Sequence, residues 1–482
     1  MKKSVLILIL ALSTSLSMSL MGCSNTNAVS EAADSAKSES IESSESNENA
    51  AADEAVSDDD NSDSGNDEAS PEDDSNSNDI IPLRDTVPTV LKDARIGCAV
   101  TFDELGDPKV WDILTTHFNA VTFGNELKPD ALVGYSCDKH TELVETELNG
   151  ETFEVPTLNF HRAESMLDKI YDWNTQNPDR EIKVRGHVLV WHSQTPEWFF
   201  HENYDKKEPY VDKATMDKRQ EWYIREVLTH FTGEDSKYKD MFYGWDVVNE
   251  AISDNGGKLR TDAENPGESL LMDRHGSNSS WYHIYESNEY IINAFKYANK
   301  YAPDSLELYY NDYNECNTIK RNGIAQLLTD IKANEGEKGE GTRISGMGMQ
   351  GHYGINDPGF TEIEYAAKLY AGIVGSVQLT ELDITASDGY DGSEEAKVDE
   401  YDKLTKRYNI IYFTMKGLKN KQDVNISGIT FWGTVDHYSW LQSRSNVGGG
   451  SKTGLPQCPL LFDENYEPKP CFYVFEEVAE AN

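Results

Sequence analysis

Eight short runs of β-branched and aromatic residues, separated by longer amphipathic stretches, constrain the fold of this 482-residue chain more than any other feature. Stretches such as residues 220–228 have the apolar periodicity of helices, whereas the short runs have the composition of buried strands. Eight strands that alternate with helices predict an α/β fold, namely a (β/α)8 TIM barrel with loop insertions. Two α/β domains are the alternative, but no Pro/Gly/Ser-rich linker divides residues 81–482. The eight runs are residues 96–100, 120–123, 184–191, 242–248, 306–310, 344–349, 376–379 and 426–432.

The first 80 residues contain no aromatic residue and therefore cannot build a core. A charged start and an apolar run form the pattern of an export signal peptide over residues 1–22. The sequence Leu-Met-Gly-Cys that ends at Cys23 is similar to a bacterial lipoprotein processing site, which implies that Cys23 is lipidated. Ordinary secretion with an incidental cysteine is the alternative. We therefore expect an exported protein, either a cell-surface lipoprotein or a secreted one, whose only link to a membrane is this N-terminal lipid.

Residues 23–80 are rich in Ser, Asp and Glu, and residues 24–80 hold 18 acidic residues but a single lysine, Lys37. With so few large apolar side chains, this segment cannot offset the entropy that it would lose on ordering, and its like charges repel one another. We expect a disordered acidic tether in front of a catalytic domain at residues 81–482. A stalk at an anionic cell surface and a solubilising spacer both fit this composition.

Charge and residue spacing exclude several classes of partner. The net charge of −42, without the Lys/Arg clusters that neutralise phosphates, argues against nucleic acid. The five cysteines after Cys23 show neither zinc-site nor C-x-x-C spacing, and whether Cys458 pairs with Cys471 stays open. His187 and His192 lie five residues apart. On a strand, residues at this spacing point to opposite faces, so the two histidines would not bind one metal ion together. We therefore expect no metal site and no cofactor.

The carboxyl ends of the predicted strands carry polar and aromatic side chains. In a parallel barrel these ends converge on one face, where active sites lie. Seven endings rich in carboxylates, imidazoles, amides and indoles therefore predict a cleft. They are residues 125–128, 187–192, 249–250, 311–314, 350–352 and 381–383, and Trp432.

Two glutamates follow apolar runs at matching levels. Glu250 comes beside Asn249 after the run 242–248, and Glu381 follows the run 376–379. Two glutamates that face each other across a barrel mouth can act as acid and nucleophile in glycoside hydrolysis. A carboxyl separation of about 5–5.5 Å would fit a retaining reaction, and about 6.5–9.5 Å an inverting one. Each glutamate alone would also fit a rim residue in a salt bridge.

Several motifs make the chain similar to a known family. They stand in the same order as in the family 10 glycoside hydrolases, the (β/α)8 endo-β-1,4-xylanases, and the resemblance runs from about residue 85 to 480. It implies endo-hydrolysis of β-1,4-xylosidic linkages in xylan by retaining double displacement through a glycosyl-enzyme intermediate. The motifs are residues 125–128, 186–194, 245–250, 348–352, 380–383, 430–433 and 459–463.

The resemblance implies roles for the residues at the strand ends. Glu250 matches the general acid/base, and Glu381 matches the nucleophile. His352 matches the histidine that hydrogen-bonds the nucleophile, with Asp383 as its partner, an arrangement that keeps Glu381 oriented and ionised. Asn249 matches the amide that contacts the sugar 2-hydroxyl next to the scissile bond.

Other matching residues line the binding cleft. Trp432 and Trp440 match the indoles that cover bound xylose, since flat pyranose faces pack on aromatic rings. Taken alone, a tryptophan at a strand end is more often a core residue, and a lysine is more often a solvated charge. We expect Asp246 to be a structural residue on the barrel rim rather than a third catalytic acid. The residues that match the glycone side of the cleft are Asn125, Lys128, His187, Trp191 and Gln350.

The sequence departs from the family pattern before Asn125. Gly124 stands where a glutamate commonly binds the second glycone sugar, which predicts a weaker −2 subsite. We favour a weak subsite over a compensated one, because a glycine here would serve its backbone freedom.

A second departure is the insertion at residues 132–160. Its pattern predicts a hairpin that turns at Asn149 and Gly150. The insertion either decorates the barrel or folds over the cleft and supplies the missing contact from Glu145 or Glu147.

The expected partners are xylan and xylo-oligosaccharides, and we expect a monomer. Hydrolysis of β-1,4-glucans or aryl glycosides is the alternative among enzymes, because the sequence does not show whether the cleft is crowded around the sugar C5. From another class, a sugar-binding lipoprotein that feeds a transporter would keep the tryptophans. Such a protein would not need Glu250 and Glu381 at matched strand ends.

Overall fold

The computed structural model describes residues 80–134, 142–261, 279–443 and 456–476, which belong to the compact unit Ser77–Asn482. The predicted signal peptide, the lipidation site Cys23 and the acidic tether up to residue 79 lie outside the described residues. Among the helices that the structure describes, none combines the length and the apolarity needed to cross a membrane.

Parallel strands form the centre of the fold. In the described ranges the strands are β1 (Arg95–Val100), β2 (Ala120–Phe123), β3 (Leu143–Leu148), β4 (Glu151–Pro156), β5 (Lys183–Trp191), β6 (Phe242–Asn249), β7 (Glu307–Asp312), β8 (Gly346–Met349), β9 (His352–Gly354), β10 (Val377–Thr385) and β11 (Ile426–Phe431). The order is β1, β2, β5, β6, β7, β8, β10 and β11, and β11 closes the ring by pairing with both β10 and β1. All eight predicted runs are barrel strands, so the predicted TIM barrel is confirmed. The short strand β9, which pairs with the end of β10, was not predicted.

Helices connect the barrel strands and cover them from outside. They are α1 (Leu83–Val90), α2 (Phe102–Gly106), α3 (Pro108–His117), α4 (Pro129–Val133), α5 (His161–Gln176), α6 (Lys213–Thr232), α7 (Ser280–Tyr285), α8 (Glu289–Tyr301), α9 (Thr318–Ala333), α10 (Phe360–Val374) and α11 (Glu394–Lys421). Local sequence explains where several begin. The Asp107 side chain accepts from the Lys109 N–H at the start of α3, whose first residue is Pro108, and Ser393 caps α11 in the same manner.

Large side chains and a buried ion pair between β5 and β6 occupy the barrel interior. Every residue of β6 and β10 is buried, as expected for strands covered on both faces. Arg185 Nη2 lies 2.6 Å from Asp246 Oδ1, so Asp246 is an interior structural residue and not a rim residue. Gly186 lies directly beneath the Trp245 ring, where a Cβ atom would come within 2.0 Å of it. These contacts fix the position of β5 against β6, the two strands that bring Trp191 and Glu250 to the cleft.

The insertion forms the predicted hairpin from β3 and β4. Asn149 and Gly150 have φ values of 54° and 84°, the left-handed pair that a two-residue turn requires. Arg225 of α6 donates to the Glu147 carbonyl at 2.7 Å, and the Asn149 amide donates to Glu221 of the same helix at 3.0 Å. The hairpin turn therefore lies against the outer helix α6. These contacts do not support the hypothesis that the insertion folds over the cleft.

Cys98, Cys316, Cys458 and Cys471 are free and buried. The Cys471 thiol donates to the Leu460 carbonyl at 3.6 Å. Cys458 and Cys471 therefore do not form the disulfide that their spacing left open.

Candidate active site

Polar side chains from adjacent barrel strands meet at the carboxyl end of the barrel. Glu250 follows the last residue of β6, and Glu381 lies within β10. The strand register places Asn249 beside Trp191 of β5 on one side and beside Asn311 of β7 on the other. The prediction that the polar strand ends converge in one cleft is confirmed for these residues.

Three neutral donors hold the Glu250 carboxyl group. Oε2 accepts from the Trp191 indole at 2.9 Å. Oε1 accepts from the Gln350 amide at 2.9 Å and from the Asn249 amide at 3.0 Å. Glu250 is partly exposed, so its carboxyl group is both fixed in direction and accessible from the cleft.

Glu381 lies deeper, with only 5% of its surface exposed. Its Oε1 accepts from the Asn311 amide at 2.7 Å, and its Oε2 lies 3.2 Å from His352 Nε2. The other ring nitrogen of His352 lies 2.9 Å from Asp383 Oδ1. The predicted chain from Asp383 through His352 to Glu381 is therefore present.

The electrostatics of this chain keep Glu381 ionised. Burial alone would raise the pKa of Glu381, but hydrogen bonds from His352 and Asn311 hold that pKa below its ordinary value. Burial would lower the pKa of His352, yet the Asp383 and Glu381 carboxylates raise it to about 10. At neutral pH the ring is therefore an imidazolium that donates from both nitrogens.

A chain of side-chain amides connects the two glutamates. Asn249 Oδ1 accepts from the Asn311 amide at 2.9 Å and from the Gln350 amide at 3.1 Å. The same two amide nitrogens bind Glu381 and Glu250 respectively. The relative position of the two carboxyl groups is thus set by buried hydrogen bonds rather than by flexible side chains.

Lys128 and Asn125 form a second cluster beside the glutamates. The Lys128 ammonium donates to Asn125 Oδ1 at 3.3 Å and to Gln194 Oε1 at 3.0 Å, and it lies 5.1 Å from the centre of the Trp191 ring. Burial lowers the pKa of Lys128, against the effect of the surrounding carboxylates. Because only 6% of Lys128 is exposed, its interpretation as a solvated charge is wrong.

Aromatic rings complete the cleft. His187 is buried, its Nδ1 lies 3.0 Å from Asp246 Oδ2, and its ring centre lies 5.5 Å from that of Trp432. Trp432 and Trp440 both flank His352, with ring centres 6.2 and 4.8 Å from it. Both indoles are partly exposed and are therefore cleft residues rather than core residues.

The structure thus brings together all the predicted site residues outside the N-terminal segment, through contacts of different kinds. One hydrogen-bonded network, whose two halves are connected by the Asn311 amide, joins Trp191, Asn249, Glu250, Gln350, His352, Glu381, Asp383 and Trp440. Asn125 and Lys128 adjoin this network at the Trp191 ring. His187 and Trp432 adjoin it through ring contacts. Within the described ranges, no group of three His, Cys, Asp or Glu side chains has the arrangement to hold a metal ion.

Residues 87–478 match the family model described as glycosyl hydrolase family 10. The chain belongs to this family. The match includes all eight barrel strands and both glutamates, so the family 10 assignment covers the whole described site.

Curated relatives share this family 10 region. A putative endo-1,4-β-xylanase of Caldicellulosiruptor saccharolyticus is 37% identical over 309 residues, which cover 61% of this chain and 83% of the relative. The bifunctional endo-1,4-β-xylanase XylA of Ruminococcus flavefaciens is 33% identical over 380 residues, 78% of this chain but 32% of the relative. The endo-1,4-β-xylanase Y of Acetivibrio thermocellus is 34% identical over 395 residues, 80% of this chain and again 32% of the relative. The chain therefore spans about a third of the length of the latter two relatives.

Solved family 10 structures superpose on the barrel. The CBM22-1–GH10 modules of the Clostridium thermocellum xylanase 10B, complexed with xylohexaose, match with a TM-score of 0.64 and 28% identity, covering 82% of this chain and 67% of that one. The endo-1,4-β-xylanase of Caldicellulosiruptor owensensis matches with a TM-score of 0.61 and 28% identity, covering 83% of this chain and 100% of that one.

Two residues that contact the glutamates, Asn311 and Arg260, were not predicted as site residues. Asn311 was noted at a polar strand end without a role, although its level in β7 beside Asn249 in β6 was a usable signal. Arg260 lies outside all the motifs, and its Nε donates to the Glu250 carbonyl at 3.1 Å. Arg260 reaches Glu250 through a turn after β6, and no sequence pattern indicated that return.

Backbone freedom does not explain the glycine at position 124. Its φ lies outside the left-handed region, and a Cβ there would approach the Thr101 methyl group at 3.2 Å. The expectation that glycine is needed for its conformation is therefore wrong. Glu126, two residues later, does not replace the missing side chain, because its carboxylate accepts from the backbone N–H groups of Phe102 and Asn125 at 2.8 and 3.2 Å.

Proposed function

We propose that this protein is an endo-β-1,4-xylanase that hydrolyses internal xylosidic linkages of xylan with retention of anomeric configuration. The observation that carries the proposal is the contrast between its two glutamates. Glu381 is buried against an imidazolium, whereas Glu250 is partly exposed and held by neutral donors. One carboxylate is thus kept as an anion for attack, and the other is placed to exchange a proton with the substrate.

The first step forms a covalent intermediate. A carboxylate oxygen of Glu381 attacks the anomeric carbon, while Glu250 donates its proton to the glycosidic oxygen. The bond between that oxygen and the anomeric carbon breaks, and the shortened chain leaves with the proton. Hydrogen bonds from His352 and Asn311 hold the attacking carboxylate in one orientation throughout.

The second step releases the sugar. Glu250, now ionised, takes a proton from a water molecule whose oxygen attacks the anomeric carbon, and the bond to Glu381 breaks. Two inversions give net retention. Asn249 lies between the two glutamates, where its amide is placed to bind the sugar 2-hydroxyl in both steps.

Xylan is the substrate that fits the family 10 membership best. The relatives named above are described as endo-1,4-β-xylanases, and one solved relative holds xylohexaose. Trp432 and Trp440 offer partly exposed indoles next to His352, which suit the flat faces of pyranose rings. A sugar-binding lipoprotein would share these indoles but would have no use for the contrasting environments of the two glutamates.

The direct test is hydrolysis by the purified full-length chain. Glucuronoxylan, arabinoxylan and carboxymethylcellulose are compared at equal mass, and product sizes are followed over time. We expect rapid release of mixed xylo-oligosaccharides from both xylans, and Glu381→Ala serves as the inactive control. Faster hydrolysis of carboxymethylcellulose than of either xylan would favour a β-1,4-glucanase instead.

We propose in addition that the enzyme is exported and held at the cell surface by a lipid on Cys23. The proposal rests on the pattern of residues 1–23, a charged start and an apolar run that ends at a cysteine. The acidic residues 24–79 would then separate the barrel from the membrane, and we propose a monomer that binds xylan and xylo-oligosaccharides.

A further inference from the structure

Glu250 itself has a left-handed backbone conformation, with a φ of 55°. Residues other than glycine rarely adopt this conformation, so neighbouring contacts must stabilise it. The conformation turns the chain sharply as it leaves β6, and it sets the direction in which the Glu250 side chain enters the cleft. Whatever holds this turn therefore determines where the acid/base carboxyl group lies.

The hydroxyl group of Tyr310 binds the two peptide groups that follow Glu250. It accepts from the Ala251 N–H at 3.0 Å and from the Ile252 N–H at 3.2 Å, and it donates to Asp312 Oδ2 at 2.5 Å. A phenolic hydroxyl has one proton and two acceptor positions, and all three are used here. Tyr310 and Asp312 are both completely buried, so water does not compete for these bonds.

Asp312 holds that hydroxyl group in place from the opposite side. Its Oδ1 accepts from the Tyr313 N–H at 2.9 Å and lies 3.0 Å from the Lys320 ammonium. Lys320 is 1% exposed, so this ion pair is buried. With Oδ1 bound to Tyr313 and Lys320, Oδ2 is directed at Tyr310.

The remaining backbone groups of the turn are held as well. The Glu250 N–H donates to the Asn311 carbonyl at 2.9 Å, and the Glu250 carbonyl accepts from Arg260 Nε at 3.1 Å. The Ala251 carbonyl accepts from the Arg260 N–H at 2.8 Å. Each polar backbone group from the Glu250 N–H to the Ile252 N–H thus has a partner, and Tyr310 supplies two of these bonds.

We infer that Tyr310 is a positioning residue for the acid/base: its hydroxyl group, oriented by Asp312, fixes the left-handed turn that directs Glu250 at the glycosidic oxygen. This inference rests on the proposed role of Glu250. Tyr310 lies in β7 opposite Val248 of β6, and it acts through the backbone that follows Glu250. We expect the loss of its hydroxyl group to release two buried N–H groups and to allow Glu250 to move away from the leaving oxygen.

The leaving group of the substrate separates this effect from a general loss of structure. A xylan chain is a poor leaving group that requires the proton of Glu250, whereas a 2,4-dinitrophenolate leaves without protonation. The value of kcat/KM reports the steps up to formation of the glycosyl-enzyme. A misplaced acid therefore lowers kcat/KM for xylan and spares kcat/KM for 2,4-dinitrophenyl β-xylobioside.

The experiment compares Tyr310→Phe with Tyr408→Phe in the full-length chain. Tyr408 of α11 is the matched control, because it is also fully buried. Its hydroxyl group donates to the Pro459 carbonyl at 2.6 Å, remote in sequence from Glu250. We expect Tyr310→Phe to lower kcat/KM for xylan by roughly 10–100-fold and that for the dinitrophenyl substrate by less than about threefold. Tyr408→Phe should leave the ratio of the two values unchanged. Azide should accelerate turnover of the dinitrophenyl substrate by the Tyr310 variant, because this nucleophile needs no base.

Glu250→Ala is included to distinguish the inference from the proposed function. If Glu250→Ala lowers kcat/KM equally for xylan and for the dinitrophenyl substrate, the acid/base assignment itself fails. Suppose instead that Glu250→Ala lowers kcat/KM for xylan selectively. If Tyr310→Phe then lowers kcat/KM equally for both substrates, or for neither, only the positioning role is overturned. Circular dichroism and the melting temperature establish that each variant is folded. Should Tyr310→Phe not fold, Asp312→Asn takes its place: it keeps the Tyr310 hydroxyl group but weakens its anchor, and an unchanged substrate ratio in that variant overturns the inference.

Discussion

Trp440 donates its indole N–H to Asp383 Oδ2 across 2.7 Å. The other oxygen of the same carboxylate binds His352, whose ring centre lies 4.8 Å from that of Trp440. An indole that faces the cleft thus belongs to the hydrogen-bonded chain that ends at Glu381. Substrate contact and orientation of the nucleophile are connected through this one side chain.

Trp440→Phe should therefore impair chemistry as well as binding. The variant keeps an aromatic face but loses a hydrogen bond to a charged group, which is worth roughly 1.5–3 kcal/mol. We expect kcat to fall about tenfold on xylan and on an activated aryl xyloside alike, because the nucleophile acts on both. Trp432→Phe is the control, since that indole flanks His352 without taking part in the Trp440–Asp383 bond. A change in KM alone for Trp440→Phe would contradict the connection.

The two glutamates should fail in different ways. Glu381→Ala removes the nucleophile and should abolish turnover of every substrate. Glu250→Ala should lower kcat/KM for xylan hydrolysis by roughly 10²–10⁴-fold. It should lower kcat/KM far less for substrates whose leaving group needs no proton. Proton NMR of the first product of the wild-type enzyme should show the β-anomer. An initial α-anomer would mean inversion and would remove the glycosyl-enzyme from the mechanism.

The pH dependence of stability should report the charge on His352. Its pKa is raised to about 10 in the folded protein, against about 6.5 in an unfolded chain. Proton binding therefore stabilises the fold fully below about pH 6.5, and this contribution is lost as pH rises through about 10. The difference in free energy of unfolding between wild type and His352→Gln, measured by urea denaturation, should shrink steadily from pH 6.5 to 10. A difference that stays constant across this range would show that His352 is neutral in the folded protein.

The sequence predicted the barrel well because nearly every barrel-strand residue is buried, so the strands stand out as short runs rich in β-branched and aromatic residues. It also predicted the Glu250, His352 and Glu381 constellation, because strand ends in a parallel barrel meet whatever the loops do. It did not predict the contacts that cross between chain segments. Arg260 reaches Glu250 through a turn, and the position of the hairpin against α6 depends on Arg225, which no local pattern connects to residues 143–156.

The N-terminal segment should be dispensable for catalysis. A chain that starts at Ile80 should keep the kcat of the full-length protein on soluble xylan, because the residues before it contain no aromatic residue and the acidic segment 24–79 has few large apolar side chains. Cys23→Ala should move the enzyme from the membrane fraction to the medium. The two changes are measured separately, by turnover and by fractionation. A large loss of turnover on truncation would give the acidic segment a role beyond spacing, and a membrane-bound Cys23→Ala protein would rule out the lipid anchor.

Gly124→Glu should strengthen the weak −2 subsite. The backbone at Gly124 is not left-handed. A Cβ atom there would lie 3.2 Å from the Thr101 methyl group and at ordinary contact distance from the Val100 carbonyl, so a small shift of Thr101 accommodates it. A carboxylate that accepts from a sugar hydroxyl gains roughly 1.5–3 kcal/mol, about one to two decades in affinity or rate constant. Xylotriose depends on every subsite that it fills, whereas a long chain has others, so the ratio of kcat/KM for xylotriose to that for xylan should rise. Gly124→Gln is the matched control, with the same length and no charge, and should give a smaller rise.

Replacing residues 143–156 by a short loop should leave the ratio unchanged, because the turn of this hairpin contacts α6 rather than the cleft. A ratio that falls when the hairpin is shortened would show that the insertion reaches the substrate. A ratio that responds to neither change would show that neither Gly124 nor the hairpin determines the strength of the −2 subsite.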